Sequence, residues 1–259
     1  MLWITGSKGL LGSALSLTCK AALHLNILET GKEVDIGDLQ AVRDFVNKHP
    51  EIDYIINCAA FSQVDAAERC REETYRANAL GPKNLAIAAK EIGAKLIHIS
   101  SDYVFSGKLH RPLTEIDPVG PCSYYGKTKL EGEKEALALS ASVIRTSWIF
   151  GNGGKNFVSK LLKMLQSQKE IRLTDDQWGR FTYAPDLADA ILQMLDQSGL
   201  HHFANAGVAT KYEFGLAMRE EAFLLVVGRA SEQRFELMYE QCIDVRDRRI
   251  AAIESRRLE

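Results

Sequence analysis

Three residues in the middle of the chain have side chains suited to proton transfer. Ser101 lies in the segment HISSDYVFSG, and Tyr125 and Lys129 lie in SYYGKTKLEGE. A phenol is a weak acid at neutral pH because its reference pKa is about 10, but a neighbouring ammonium group favours the phenolate and lowers that pKa. Residues i and i+4 share one face of a helix, so Lys129 can lie beside Tyr125. We therefore expect Tyr125 to exchange a proton with a bound substrate, with the Ser101 hydroxyl donating a hydrogen bond across from it.

A glycine-rich loop near the amino terminus predicts a nucleotide site. Gly6, Gly9 and Gly12 follow the apolar run MLWIT and precede a helix-forming stretch. A helix that begins directly after such a loop presents free backbone N–H groups, to which a pyrophosphate can bind. The spacing G-x-x-G-x-x-G differs from the commoner fingerprint G-x-G-x-x-G, so the prediction depends on strand, loop and helix together. With Tyr125 and Lys129 downstream, the loop predicts hydride transfer involving a bound dinucleotide.

Further candidates for nucleotide binding lie where later elements meet the same edge of the sheet. In an open parallel sheet the ligand lies beyond the carboxyl ends of the strands. Asp35-Ile36 precedes a predicted helix, and Asn57-Cys58-Ala59-Ala60 ends a buried strand. Asp35 is also a candidate helix cap. Glu29 and Lys32 bracket the end of the second strand, and because an acidic residue there favours NAD and a basic one NADP, the choice between the two coenzymes stays open.

The elements that must position these residues alternate between strand and helix through about the first 150 residues. Apolar runs predict parallel strands, covered on both faces, at MLWIT, LNIL, DYIINCAA, AKLIHISS and SVIRTSWIF. Helical periodicity predicts helices over 10–22, 38–47, 68–89 with an interruption at Gly81-Pro82, and 125–139. We therefore predict an α/β fold, a Rossmann-type doubly wound parallel sheet. Residues 1–150 are expected to bind the dinucleotide, and residues 151–259 to form mainly a smaller, interleaved substrate lobe.

Composition disfavours several classes of protein. The chain has 259 residues, 46% of them hydrophobic, and a formal net charge of -2. Without an excess of basic residues we expect no nucleic-acid partner and no anionic membrane surface. No apolar run reaches the roughly 18 residues of a membrane span, and the early glycine loop leaves no room for a secretory signal, so we expect a cytoplasmic protein. The five scattered cysteines lack zinc spacing, which predicts reduced thiols and no metal site.

The chain resembles the dTDP-4-dehydrorhamnose reductase family of the extended short-chain dehydrogenases/reductases. The matching segments cover most of the first 190 residues and are ITGSKGLLGSAL, VDIGD, NCAAFSQVDAAE, RANALGPKNLA, ISSDYVFSG, YGKTKLEGE, VIRTSWIFG, GKNFV and DDQWGRFTYAPDLA. The resemblance implies an enzyme that reduces the C4 keto group of a nucleotide-linked deoxysugar with NADPH or NADH, for the synthesis of surface polysaccharide precursors. It implies that Tyr125 protonates the developing alkoxide, that Ser101 steadies the carbonyl, and that Lys129 holds the nicotinamide ribose and acidifies Tyr125.

The resemblance also implies which residues contact each ligand. The cofactor-binding residues would be Gly6, Gly9, Leu10, Leu11, Gly12, Asp35, Ile36, Cys58, Ala59, Ala60, Ser100, Tyr125 and Lys129. The substrate-binding residues would be Ser62, Val64, Asp102, Tyr103, Trp148, Asn156 and Arg180. Trp148 can stack on a sugar face or serve as a core aromatic. Arg180 can clamp a phosphate or remain an exposed loop residue. A homodimer is compatible with this resemblance.

The chain departs from the family pattern in its second half. Phe181 stands where the family usually has a proline, which leads us to expect an altered substrate-side turn. The final run VRDRRIAAIESRRLE keeps only part of the family's ending, so we expect a short, atypical substrate lobe. Two other interpretations stay open, a sugar-nucleotide epimerase and a regulatory subunit like the methionine adenosyltransferase beta subunit. A dehydratase is disfavoured, because Asp102 is followed by Tyr103 and not by the glutamate such enzymes use.

Overall fold

Short apolar strands alternate with helices along the chain. The computed structural model describes residues 1–22, 25–109, 111–153, 156–168 and 170–226. Its strands are β1 (Leu2–Thr5), β2 (Ile27–Thr30), β3 (Tyr54–Asn57), β4 (Lys95–Ser101), β5 (Ser142–Thr146), β6 (Ile149–Phe150), β7 (Trp178–Gly179), β8 (Thr182–Tyr183), β9 (Gly199–His202) and β10 (Ala209–Thr210). Its helices are α1 (Leu10–Ala21), α2 (Leu39–Lys48), α3 (Val64–Ala67), α4 (Arg71–Tyr75), α5 (Gly81–Ile92), α6 (Tyr124–Ala138), α7 (Phe157–Ser167), α8 (Ala184–Gln193) and α9 (Lys211–Val226). The carboxyl-terminal run VRDRRIAAIESRRLE lies outside the described residues.

The central sheet is parallel throughout, with its strands in the order β2-β1-β3-β4-β5-β9. The order reverses between β1 and β3, because β2 lies on one side of β1 and the later strands continue on the other. Ligands of open parallel sheets bind beyond the carboxyl ends of the strands at such a reversal. The glycine loop follows β1, and Cys58 follows β3, so both lie at this point. The predicted α/β class with a parallel sheet is confirmed.

Helices cover both faces of this sheet. On one face, Trp3, Ile55, Leu96 and Val143 pack in one cluster with buried residues of α2, α5 and α6. The alternate strand residues, which point to the other face, are also buried, and they are Leu2, Ile4, Ile56, Ile97 and Ile144. Right-handed crossovers place α1 on that other face, because α1 leads from β1 to β2, whereas α2, α5 and α6 lead across the sheet in the opposite direction. There α1 packs against α8, which completes the predicted doubly wound arrangement.

The predicted helix over 68–89 is interrupted five residues earlier than expected. A π-helical turn over Arg76–Leu80 joins α4 to α5. Pro82 lies in the first turn of α5, directly after the π-helical turn, whose last hydrogen bond runs from the Gly81 N–H to the Arg76 carbonyl. The position predicted for the interruption, Gly81-Pro82, is therefore wrong. The irregular turn comes before the proline.

The described chain divides into two compact units. Unit 1 comprises Met1–Thr146 and Ala184–Phe203, and unit 2 comprises Ser147–Tyr183 and the described residues from Ala204 onward. The chain leaves unit 1 after β5 and returns to it for α8 and β9. The assignment of dinucleotide binding to one part of the chain and substrate binding to the other stays a prediction.

Unit 2 has an aromatic core. The rings of Phe181 and Phe214 are stacked with their centroids 3.9 Å apart, and Phe150 and Phe157 also contact Phe181. Phe181 is 4% exposed. Phe181, which stands where the family usually has a proline, therefore lies in the core of unit 2. We expected an altered substrate-side turn at this position and did not predict its role in the core.

The run SVIRTSWIF forms two strands and not the single predicted one. β5 belongs to the central sheet, whereas β6 pairs with β8 in a separate two-stranded sheet. Trp148, between them, has a φ of 43°, in the left-handed region that side chains disfavour. The backbone turns there, so the strand cannot continue.

Candidate active site

The glycine loop packs backbone against backbone. Gly6 has a φ of 65°, and a Cβ on it would lie 2.6 Å from the backbone nitrogen of Ala59. A Cβ on Gly12 would lie 2.3 Å from the carbonyl oxygen of Gly6. Neither distance can accommodate a side chain, so these positions require glycine. The loop, the first turn of α1 and the segment after β3 are brought together as a result.

The first turn of α1 can bind an anion. Gly9 is the N-cap and makes no side-chain hydrogen bond, and the turn holds no acidic residue. The amides of Leu10, Leu11 and Gly12 have no acceptor one turn earlier in the helix. Leu11 is buried, so its side chain belongs to the interior and is not the part that a ligand would contact. These features fit the pyrophosphate of a dinucleotide, which binds to such helix ends.

Beside this loop lies an open cavity of about 440 Å³ lined by Ser7, Lys8, Ser13, Ser16, Leu17, Glu29 and Glu33. The Glu29 carboxylate accepts hydrogen bonds from Ser16 Oγ at 2.6 Å and Lys20 Nζ at 2.9 Å. The Glu33 carboxylate accepts one from the Gly31 amide at 2.7 Å. Lys8 adds a positive charge to the same wall. Because both signs of charge are present, the cavity does not decide between NADH and NADPH.

Asp35 is held at the π-helical turn. Its Oδ2 pairs with Arg76 at 2.7 Å and its Oδ1 accepts a hydrogen bond from the Gly37 amide at 2.9 Å. The hydrogen bond from Arg76 holds the pKa of Asp35 below its usual value. The cap of α2 is Asp38, so the alternative in which Asp35 caps that helix is wrong. Ile36 is buried in the core, and contact of either residue with a cofactor stays a prediction.

Ser101 and Tyr125 are brought together at the carboxyl end of β4. Ser101 Oγ donates to Asp102 Oδ1 at 3.0 Å and accepts from the Tyr103 amide at 3.2 Å. A Cβ on Gly126 would lie 2.2 Å from the carbonyl oxygen of Tyr103, so glycine lets the start of α6 approach the 3-10 turn over Asp102–Val104. The rings of Tyr103 and Tyr125 then meet edge to face, with centroids 5.5 Å apart.

Burial makes Tyr125 a weaker acid and not a stronger one. It raises the pKa of Tyr125 to about 12, although a hydrogen bond with the Ser101 side chain acts in the opposite direction. The Tyr125 hydroxyl is therefore protonated at neutral pH. The expectation that this structure lowers the phenol's pKa is wrong, because loss of solvent outweighs the favourable contact.

Lys129 is directed toward the sheet. It is 2% exposed, its Nζ donates to the carbonyl oxygen of Ile99 at 2.5 Å, and the same atom lies 3.4 Å from His98 Nε2. Burial lowers the pKa of Lys129 to about 8. The i and i+4 spacing correctly places Tyr125 and Lys129 on one helix, but it does not determine where the lysine nitrogen points.

Sequence reasoning missed three buried polar residues near Lys129, which are His98, Glu133 and Arg145. His98 and Asn57 are fully buried, and Asn57 Nδ2 lies 3.1 Å from His98 Nδ1. Glu133 is one turn after Lys129 on α6, where it pairs with Arg145 of β5 and accepts a hydrogen bond from Ser100 Oγ at 2.9 Å. A histidine in the middle of the apolar run AKLIHISS is the signal that could have identified this cluster.

Some of the predicted cofactor residues have side chains that are engaged within the protein or unreactive. Ser100 uses its hydroxyl on Glu133, so its side chain is engaged within the protein. Burial raises the pKa of the Cys58 thiol to about 12, which keeps it protonated and unreactive. Ala59 accompanies Cys58 beside the glycine loop, and Ala60 is exposed. Small side chains at this point leave the backbone accessible.

The predicted substrate residues are divided between the two units. In unit 1, Ser62 is exposed, Val64 begins α3, and Asp102 and Tyr103 follow Ser101. The pKa of Tyr103 is raised, mainly by burial and then by Asp102. These four residues share unit 1 with the proposed catalytic groups, and their contact with a substrate stays a prediction.

In unit 2, the structure gives structural roles to two predicted substrate residues. Trp148 packs against Gly179 and Phe181, and Lys211 Nζ lies 5.1 Å from its ring centroid. Asn156 caps α7, with Oδ1 accepting from the Ser159 amide at 2.9 Å and Nδ2 donating to the Gly151 carbonyl. Arg180 is exposed. Substrate binding by these residues also stays a prediction.

The described ranges contain no candidate membrane span and no metal-ligand cluster. None of the helices within the described ranges has the length and apolar character needed to cross a membrane. Likewise, the described histidine, cysteine and acidic side chains form no group of three or more that could hold a metal ion.

The sequence matches, over residues 1–233, the family described as the RmlD substrate binding domain. This protein belongs to that family. It is 39% identical over 225 residues to the spore coat polysaccharide biosynthesis protein SpsK of Bacillus subtilis, covering 85% of this chain and 79% of that relative. It is 42% identical over 218 residues to the dTDP-4-dehydrorhamnose reductase of Mycolicibacterium smegmatis, covering 81% of this chain but only 65% of that relative's length.

A solved relative carries a nicotinamide coenzyme. The crystal structure of Bacillus anthracis dTDP-4-dehydrorhamnose reductase in complex with NADP superimposes with a TM-score of 0.79 at 34% identity, covering 85% of this chain and 81% of that one. The family and fold predicted from the sequence are therefore confirmed.

Proposed function

We propose that this protein is an NAD(P)H-dependent oxidoreductase that reduces a keto group of a nucleotide-linked sugar. The observation that supports this most directly is the pairing of Ser101 and Tyr125 at the carboxyl end of β4, in the same unit as the glycine loop. Gly6 and Gly12 leave no room for side chains, and the first-turn amides of α1 suit a pyrophosphate. Relatives that bind NADP or are named as reductases add to this support.

The bound nicotinamide supplies the hydride, and the chain supplies the proton. Tyr125 is protonated at neutral pH because its pKa is raised to about 12. An alkoxide is a stronger base than a phenolate, so Tyr125 can donate its proton to the carbonyl oxygen as that oxygen gains charge. Ser101 donates a hydrogen bond to the same oxygen and stabilises the charge. Lys129 would release the Ile99 carbonyl and hold the nicotinamide ribose instead.

The proposed substrate is a dTDP-linked 6-deoxysugar with a ketone at C4, of the dTDP-4-dehydrorhamnose type. Relatives are named dTDP-4-dehydrorhamnose reductase and, in Streptomyces niveus, dTDP-4-keto-6-deoxy-D-glucose reductase. We infer that Ser62, Val64, Asp102 and Tyr103 of unit 1 contact the substrate. We also infer contacts from the unit 2 residues Trp148, Asn156 and Arg180. The product would enter the synthesis of surface polysaccharide precursors.

The absorbance of reduced nicotinamide tests this proposal. We expect the protein to oxidise NADPH or NADH when dTDP-4-dehydrorhamnose is added. The Tyr125→Phe variant should bind coenzyme normally but turn over about 100-fold more slowly or worse, the usual scale for loss of a general acid. Tyr124→Phe, one residue earlier on α6, is the matched control and should retain activity.

Three outcomes would contradict the proposal. A folded, coenzyme-binding protein with no turnover would favour a regulatory role, and equal activity in Tyr125→Phe would remove that residue from the mechanism. Coenzyme that remains bound through purification, with interconversion of sugar epimers, would indicate an epimerase. We further propose that the enzyme is cytoplasmic and has no nucleic-acid partner. Light scattering would test whether it forms a homodimer.

A further inference from the structure

A line of buried hydrogen bonds runs from β1 to Lys129. Thr5 Oγ1 donates to Asn57 Oδ1 at 2.8 Å, and Asn57 Nδ2 lies 3.1 Å from His98 Nδ1. His98 Nε2 in turn lies 3.4 Å from Lys129 Nζ. Thr5, Asn57 and His98 are no more than 1% exposed. The proposed mechanism gives no role to the first three of these residues.

The backbone fixes the orientation of the Asn57 amide. Asn57 Oδ1 accepts a second hydrogen bond from the backbone N–H of Ala59 at 3.1 Å. A backbone N–H can only donate, so the amide oxygen faces Ala59 and the amide nitrogen faces His98. Since that nitrogen also can only donate, His98 Nδ1 must accept.

The tautomer of His98 follows from this orientation. A neutral imidazole whose Nδ1 accepts a hydrogen bond carries its hydrogen on Nε2. Burial, and then the charge of Lys129, holds the pKa of His98 well below its usual value, so the ring is neutral. The Nε2–H group therefore points at Lys129 Nζ.

We propose that His98 is a positioning residue for Lys129: its Nε2–H donates toward the lysine nitrogen, favours the uncharged amine over the ammonium, and so sets the upper pH limit for coenzyme binding and reduction. An ammonium group has only donors, so it meets the His98 donor unfavourably, whereas a neutral amine has a lone pair that can accept. The role in reduction depends on the proposed function; the role in coenzyme binding can be tested without turnover.

The other groups that face Lys129 act in the opposite sense. The Ile99 carbonyl of β4 accepts a hydrogen bond from Nζ, and Glu133 on α6 and Cys58 after β3 raise the pKa of Lys129. Glu133 also forms an ion pair with Arg145, so its negative charge acts on both Arg145 and Lys129. His98 thus opposes these groups from the strand directly beneath the lysine.

Two variants of His98 separate this role from simple packing. His98→Asn keeps a side-chain oxygen that can accept from Asn57 but removes the group facing Lys129. His98→Gln keeps a polar group at the Nε2 position whose oxygen can turn toward the ammonium. In both, we expect the upper pH limit of NADPH binding, measured by fluorescence titration without substrate, to rise by about one pH unit. The alkaline limb of turnover should rise in parallel. His49→Asn, at the end of α2, is the control and should leave both limits unchanged.

The wild-type protein provides a second readout. Nitrogen-15 NMR of the histidine rings should show His98 neutral, with its hydrogen on Nε2, between about pH 5 and 9. A hydrogen on Nδ1, or folded His98 variants with an unchanged pH limit, would overturn the proposal. If neither variant folds, the NMR tautomer decides. A protein that binds NADPH as expected but reduces no ketosugar would refute the proposed function and leave this role of His98 standing.

Discussion

Replacing Lys129 by methionine should stabilise the protein while it abolishes function. Burial lowers the pKa of Lys129 from 10.5 to about 8. Each pKa unit corresponds to about 1.4 kcal/mol, so keeping the lysine charged costs the folded state about 3 kcal/mol at neutral pH. Methionine matches the length of the aliphatic stem and carries no charge. It loses the hydrogen bond to Ile99, worth about 1 kcal/mol, which leaves a net gain of about 2 kcal/mol.

The sign of this effect depends on pH. Below about pH 8, Lys129 is protonated in both the folded and the unfolded state, so the full cost is present. Between about pH 8 and 10.5 the folded state releases the proton first, and the wild-type free energy of unfolding should gain on that of the variant as the pH rises. Above 10.5 the charge cost is absent.

Urea unfolding at pH 7 and pH 9.5 measures both parts of this prediction. Lys129→Met should be more stable than the wild type at pH 7, with a smaller advantage at pH 9.5. Lys127→Met, on an exposed position of the same helix, should show neither change. A Lys129→Met protein that is less stable than the wild type at pH 7 would show that Lys129 is held as a satisfied charge, which would refute the reasoning.

Three further substitutions and one control test the packing around the site and in the core of unit 2. Gly12→Ala would place a Cβ 2.3 Å from a backbone oxygen, so NADPH affinity, measured by fluorescence titration, should fall about 10-fold or more. Arg145→Met leaves the Glu133 carboxylate buried without its partner and should lower the free energy of unfolding by about 3–5 kcal/mol. Arg43→Met is the control, because it removes an exposed ion pair and should leave the unfolding midpoint unchanged. Equal effects at the two arginines would contradict the prediction that the buried Arg145 pair matters more. Phe181→Ala removes the central ring of the unit 2 cluster and should cost about 3–5 kcal/mol in urea unfolding; a smaller loss would mean that the core can collapse.

The elements nearest the glycine loop could be predicted because their signals are local. An apolar run, a glycine loop and an amphipathic stretch follow one another within residues 1–22, and each needs only its own neighbours to be recognised. The same holds for the Tyr125 helix α6, which begins at Tyr124 and is capped by the Ser123 side chain. Trp148 shows the limit: its apolar neighbours resemble one strand, and only the positive φ reveals the turn.

The orientation of Lys129 could not be predicted, because tertiary packing determines it. A Cβ on Gly132 would lie 2.1 Å from the carbonyl oxygen of Asn78, so α6 is pressed closely against the π-helical turn. That approach buries the middle of α6 and brings the lysine stem over β4, where a strand carbonyl is within reach. Helical spacing places two residues on one face, but it does not say which of several partners a four-carbon side chain will contact.

The raised pKa of Tyr125 changes what Lys129 must do in catalysis. A reduction needs the phenol as a proton donor, and a half-buried Tyr125 with a pKa raised to about 12 already meets this need at neutral pH. A strong acidifying influence is required only in the reverse direction, where the phenolate must accept a proton. The inward orientation of Lys129, against His98 and the Ile99 carbonyl, is therefore compatible with reduction. In the proposed function, Lys129 exchanges the strand carbonyl for the coenzyme ribose, so we expect coenzyme binding to respond to changes around Lys129 before proton transfer does.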